Sequence, residues 1–185
     1  IGVVERGESI SAAEVEIEEI ARAGGGMSRL VNTRQLSQTV QMMTRKTVVT
    51  TIQQAVNKEL RQVFGAESVE ALPPERRGEV VRVIDELGES SPLKVALLID
   101  TSASMRPKLA AVEEAIRDLV LSLQSRSGRS EIAVFHFPDS EDGEGCVCDL
   151  DWTDNIAGVK RILTRLSMRG TTPTGPAMMQ VIDFF

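Results

Sequence analysis

The sequence predicts an α/β domain over residues 93–185, preceded by a helical segment over residues 1–92, and three observations carry that prediction. Val95 to Ile99 is an unbroken aliphatic run between Pro92 and the polar stretch 100–104, which suits a buried strand of a parallel sheet. Directly behind it, Leu109, Val112, Ile116, Leu119 and Leu123 recur at helical spacing, with Pro107 near the start. Residues 1–92 show spacings of three and four with no sustained alternation.

In chain order, Ser11 and Glu14 stand in the relation of a capping box ahead of Val15, Ile17 and Ile20, and Gly24 to Gly26 stop the chain, so residues 12–23 are expected as a helix. Leu36, Val40, Met43, Val49, Ile52, Val56, Leu60 and Val63 fit one long helix, or two broken in the β-branched run at 47–51. Pro73-Pro74 restarts the chain into a helix lined by Val80, Ile84 and Leu87 and closed by Gly88, after which residues 89–92 read as a linker. These apolar stripes read as packing faces, with a coiled-coil-like seam over residues 36–64 as the alternative.

The strand at 94–99 is expected at the centre of its sheet, paired in parallel with a strand at 131–137. A strand at 146–150 follows across the acidic loop 139–144 and lies antiparallel at an edge. Helices are expected at 107–124, 155–167 and 174–185, the last with Met178, Val181, Ile182 and Phe185 on one face.

The first strand delivers Asp100, Ser102 and Ser104 into a loop that opens a helix, and this carboxyl edge is where ligands bind in open α/β sheets. One carboxylate and two hydroxyls are hard donors, suited to Mg²⁺ or Mn²⁺ better than to Zn²⁺ or Cu²⁺. The stretch Asp100-Thr-Ser-Ala-Ser104 resembles the D-x-S-x-S signature of the von Willebrand factor A (VWA) family, whose metal-ion-dependent adhesion site also draws on a threonine in a later loop. Residues 170–178, GTTPTGPAM, are similar to that second motif and place the threonine at Thr172, with Thr171 as an outside candidate. The threonine-proline step resembles VWA domains of magnesium-chelatase-like subunits and of bacterial partners of AAA+ ATPases.

The resemblance implies a Rossmann-like VWA sheet with flanking helices, of which residues 93–185 would be the N-terminal half. A further acidic metal-site residue would then follow Phe185. It implies a metal site of Asp100, Ser102, Ser104 and Thr172, with Asp100 acting mainly through water or as a hydrogen-bond acceptor. It also implies a protein partner whose Asp or Glu completes the coordination, with an AAA+ ATPase as the class of candidate, and no catalysis.

Two enzyme readings compete. Haloacid-dehalogenase-like phosphotransferases need a second aspartate where Ser102 stands, and a serine does not supply the same acid and base work. Aspartic proteases need Asp-Thr-Gly, whereas residues 100–102 read Asp-Thr-Ser and a helix follows. A VWA relic serving as a scaffold without metal is the remaining alternative.

With 42% hydrophobic and 26% charged residues, the composition is that of an ordinary globular protein. The net charge of -6 divides evenly: 11 Lys+Arg against 14 Asp+Glu in residues 1–92, and 10 against 13 after them. By that balance neither half is expected to bind nucleic acid. No apolar run reaches the roughly 18 residues of a membrane span and no signal peptide is visible, so a cytoplasmic location is expected. Cys146 and Cys148 read as reduced strand cysteines, and His136 as a structural or surface histidine. The run 139–144 lacks the EF-hand spacing and reads as a solvated loop, and one of Asp149, Asp151 and Asp154 is a candidate to turn toward the metal.

Overall fold

The computed structural model describes residues 2–4, 11–65, 67–139, 143, 145–163, 170 and 172–185. The chain divides into two compact units, one comprising Ile1–Ser91 with Arg126–Gly128, the other Pro92–Ser125 with Arg129–Phe185.

In the first unit, β1 (Gly2–Val4) pairs in parallel with β2 (Leu30–Asn32), and α1 (Ser11–Ala23) lies between them in sequence. These strands correct the expectation of a purely helical segment. With three residues each they are too short to leave an alternating pattern. Beyond α1, the Gly24 and Gly26 N–H groups bond back to the Ile20 and Ala21 carbonyls. Asn32 Oδ1 accepts the Gln35 N–H at 3.2 Å and opens a short 3₁₀ turn that leads into α2 (Leu36–Phe64).

At 29 residues α2 is one helix with no break. Its β-branched middle keeps helical geometry, and Thr51 Oγ1 donates to the Thr47 carbonyl at 2.9 Å, so that hydroxyl is satisfied within the turn. α3 (Pro74–Ser90) begins on the proline, as N1 position favours, and runs through Gly88 instead of stopping there. Only Ser91 and Pro92 link it to the next strand. Leu60, Val69, Leu72 and Ile84 form the core between α2 and α3, lined by Val49, Ile52, Val56 and Val80.

The carbonyls at the end of α3, which a helix cannot satisfy internally, are met from far along the chain. Arg126 Nη2 donates to the Gly88 and Ser91 oxygens at 2.7 and 2.9 Å, and the Gly128 N–H donates to the Glu89 oxygen at 2.9 Å. Gly128 sits so close that a Cβ there would run into the Ser90 carbonyl and lie 2.7 Å from the Ser91 oxygen.

The second unit is mixed α/β. Its sheet has the order β3 (Leu93–Asp100), β4 (Ser130–Phe137), β5 (Val147–Thr153), with β3 and β4 parallel and β4 and β5 antiparallel. Among the described residues β4, not β3, is the central strand. Ile132, Ala133, Val134 and Phe135 of β4 are all buried, so both its faces are covered. Most of β3 is only half-buried, as a strand paired on one side must be.

α4 (Leu109–Gln124) follows a 3₁₀ stretch, Ala103–Lys108, that takes up Pro107, and it contributes Ala115, Ile116, Leu119, Val120 and Leu123 to the core. α5 (Ile156–Leu163) lays Gly158 against Leu150. Residues 164–167 of its expected range lie outside the described residues.

α6 (Thr174–Phe184) buries Ala177 and Val181. Phe184 meets Phe135 edge-on at 4.9 Å and stacks on Trp152 at 5.9 Å. Of the expected apolar face, Val181 is buried, whereas Ile182 and Phe185 are 59% and 70% exposed, with the Phe185 ring edge-on to Trp152 at 5.0 Å. The helix is apolar nearly all round, so its periodicity could not say which side the Phe135–Trp152 pair would claim.

Candidate metal centre

Because β3 and β4 run in parallel register, Asp100 and Phe137 end their strands side by side. Thr101, 1% exposed, ties the two ends together: its N–H and its Oγ1 both donate to the Phe137 carbonyl, at 2.7 and 2.9 Å. The chain then folds back on itself. The Ser102 N–H donates to Asp100 Oδ1 at 2.7 Å, and the Ser102 carbonyl accepts the Met105 N–H at 3.0 Å to open the 3₁₀ stretch.

That turn brings the Ser102 and Ser104 hydroxyl oxygens to 3.2 Å, Ser102 being buried and Ser104 exposed. Two ligands at about 2.1 Å on adjacent corners of an Mg²⁺ octahedron lie about 3.0 Å apart, so the pair has nearly the spacing of one octahedral edge. The donors are oxygens throughout. Among the described residues no three His, Cys, Asp or Glu side chains gather, so any cation here leans on hydroxyls and water beside the Asp100 carboxylate.

Gly170, two residues before Thr172, comes to the same end of the sheet by another route. Gly170 lies against Pro138, the residue after Phe137, so closely that a Cβ would stand 2.8 Å from Pro138 Cγ. Its φ of +84° is one that glycine adopts without strain. The Thr172 carbonyl accepts the Thr174 N–H at 3.0 Å at the start of α6, and its side chain is exposed. Thr171, the outside candidate, lies outside the described residues. The D-x-S-x-S pattern leaves Thr101 as its variable position. A β-branched hydroxyl residue just after a buried strand was the available signal.

Asp149 does not turn toward this loop. Its Oδ2 is 2.6 Å from His136 Nδ1, and both side chains are mostly buried. Cys146 and Cys148 are free thiols. Burial pushes both thiols up from their ordinary range. For Cys146 the neighbouring Cys148 and then Asp139 add to it, and for Cys148 the carboxylates of Asp151 and Asp149 do. A raised thiol pKa means less thiolate at a given pH. Iodoacetamide should therefore alkylate Cys148, the exposed one, more slowly than free cysteine at about pH 8, and catch up only as pH rises through the shifted range. Mass spectrometry of the quenched reaction reads this directly.

No family model matches the chain. It is 46% identical over 181 residues to the uncharacterized protein YabS of Bacillus subtilis (strain 168), covering 97% of this chain and 73% of YabS. A crystal structure of an uncharacterized protein from Alicyclobacillus acidocaldarius subsp. acidocaldarius DSM 446 superimposes with a TM-score of 0.88 at 41% identity, over 98% of this chain and 77% of that one. No helix among the described residues is long and apolar enough to cross a membrane. With that identity over nearly its whole length, the chain belongs to the family of YabS.

Proposed function

We propose that the second unit is a VWA-type module that binds a protein partner through Mg²⁺ or Mn²⁺, in the cytoplasm and without catalysis. One observation carries the reading: Asp100, Ser102 and Ser104 share a single hydrogen-bonded turn at the carboxyl edge of a parallel strand pair, with the two hydroxyls 3.2 Å apart.

In this reading Ser102 and Ser104 would hold the ion directly. Asp100, which accepts the Ser102 N–H, would reach the ion mainly through water, and Thr172 would add a hydroxyl from the α6 side. When bound, the ion supplies a positive centre with open coordination positions, which an Asp or Glu carboxylate of the partner fills. Thr101 positions the loop by holding it to Phe137. An AAA+ ATPase is the class of partner that the likeness of the Thr172 loop suggests. The site residues, and not the sheet alone, support the assignment.

The test is Mn²⁺ binding by the full-length protein, read from water-proton relaxation, with and without a peptide rich in glutamate. Saturable binding that the peptide strengthens, and that Ser102→Ala removes, is the expected result. Binding that survives Ser102→Ala unchanged would end the proposal.

A further inference from the structure

Between Glu19 and Glu59 the chain has no Asp or Glu at all, yet Arg22, Arg29, Arg34, Arg45, Lys46 and Lys58 lie in that interval. The near-even balance over residues 1–92 averages this segregation away, and in a chain of net charge -6 it stands out. All six cations are exposed, and among the described residues none forms an ion pair. An exposed helix ordinarily gains from Glu–Lys pairs one turn apart, and most of α2 forgoes them.

What stands between the cations is equally particular. Fourteen of residues 30–58 are Ser, Thr, Asn or Gln, and seven of them, Gln38, Thr47 and Gln54 among them, are exposed as neutral hydrogen-bond donors that do not repel an anion. Several of these are poor helix formers, so their number is a cost to α2 that propensity does not explain. Gln38, Gln41 and Arg45 recur at i, i+3 and i+7, which places them on one stripe of the first half of α2, and Arg34 stands in the 3₁₀ turn just ahead of it. Within α2, Arg45 and Lys58 stand about 20 Å apart along the axis at 1.5 Å per residue, with Lys58 about 140° round the helix from Arg45.

We propose that this acid-free stretch is a docking surface for the sugar-phosphate backbone of double-stranded nucleic acid. A long array of unpaired cations with interleaved Ser, Thr, Asn and Gln is the set of groups that contacts phosphate and sugar. No Phe, Tyr or Trp occurs before Phe64, so the stretch has no platform on which unpaired bases stack, and the duplex is favoured over the single strand. A membrane surface would ask for a large exposed apolar face on α2, where, among the described side chains, Met42 and Val63 are the large apolar ones substantially exposed. The inference is independent of the metal site in the other unit.

The experiment is fluorescence anisotropy of a labelled DNA duplex of about 20 base pairs with the full chain, over about 50 to 200 mM NaCl. Binding without sequence preference is expected, with Kd of about 10⁻⁴ to 10⁻⁶ M and a log–log salt slope approaching about -0.9 per phosphate neutralised. The triple change Arg34→Gln, Arg45→Gln, Lys46→Gln should flatten that slope by up to about 2.7, whereas Arg82→Gln on α3 should leave it unchanged. Circular dichroism confirms that the triple variant keeps its helices. If it does not, Arg29→Gln with Lys58→Gln, expected to flatten the slope by up to about 1.8, takes its place. No binding at low salt, a slope the changes do not alter, or equal affinity for polyglutamate, which would signal an acidic protein partner, would each overturn the proposal.

Discussion

Asp100→Ala in the full-length protein should lower affinity for Mn²⁺ by more than about a hundredfold, and Thr101→Val by about ten- to a hundredfold. The first change removes the one carboxylate of the turn and the acceptor of the Ser102 N–H at once. The second leaves all four proposed ligand positions intact but deletes the Oγ1 bond to the Phe137 carbonyl, and with it half of the tie between the loop and the end of β4. Thr101 is buried and still donates its N–H to the same carbonyl, so the fold should tolerate valine at a cost of about 1 kcal/mol. Partner binding should follow the metal, with a chelator reproducing Asp100→Ala. If the two variants and the wild type take up Mn²⁺ alike, the turn is structural and the metal reading fails.

Gly128→Ala should be the most damaging single methyl in the first unit. The new Cβ would collide with backbone, at the Ser90 carbonyl and the Ser91 oxygen, and backbone cannot swing aside as a flexible side chain can. Overpacking of this kind costs about 1–3 kcal/mol, and displacing Gly128 also breaks its N–H bond to Glu89, for a total of about 2–4 kcal/mol. Arg126→Ala attacks the same place by deletion: it strips the Gly88 and Ser91 oxygens of charged donors and should cost about 1.5–3 kcal/mol. Thermal unfolding followed by circular dichroism would register each as a lower midpoint. A midpoint unmoved by Gly128→Ala would mean that the close approach to Ser90 is not a feature of the folded protein in solution.

Much of this architecture is legible in the sequence because it is local. The Val95 to Ile99 run, the helical spacing from Leu109 to Leu123, and the parallel and antiparallel partners of the 131–137 strand all follow from residues near one another in the chain. What stayed hidden depends on distant partners. The order of the sheet turns on which strand has both sides covered, and nothing within residues 94–99 records that. The pairing of His136 with Asp149 crosses two strands with a bulge between them, so alternation could not anticipate it. In α6 the contacts of Phe184 with Phe135 and Trp152, and of Phe185 with Trp152, join residues far apart in the chain, which no local pattern records. At the candidate site, the D-x-S-x-S stretch announced Asp100, Ser102 and Ser104, whereas the part played by Thr101 needed the Phe137 carbonyl beside it.

The Arg126–Gly128 loop bears on how the protein is made. α3 is complete in sequence at Ser90, but the groups that satisfy its last carbonyls leave the ribosome only after β3 and α4 have been synthesised. At a translation rate of 5–20 residues per second that interval is about 2–7 s, far longer than helix formation takes. During it, the nascent first unit holds a helix whose Gly88 and Glu89 carbonyls lack the donors that later meet them. A chaperone or protease acting on the growing chain would find that end open, and a gene fragment cut at the Ser91–Pro92 junction would leave it so for the life of the protein.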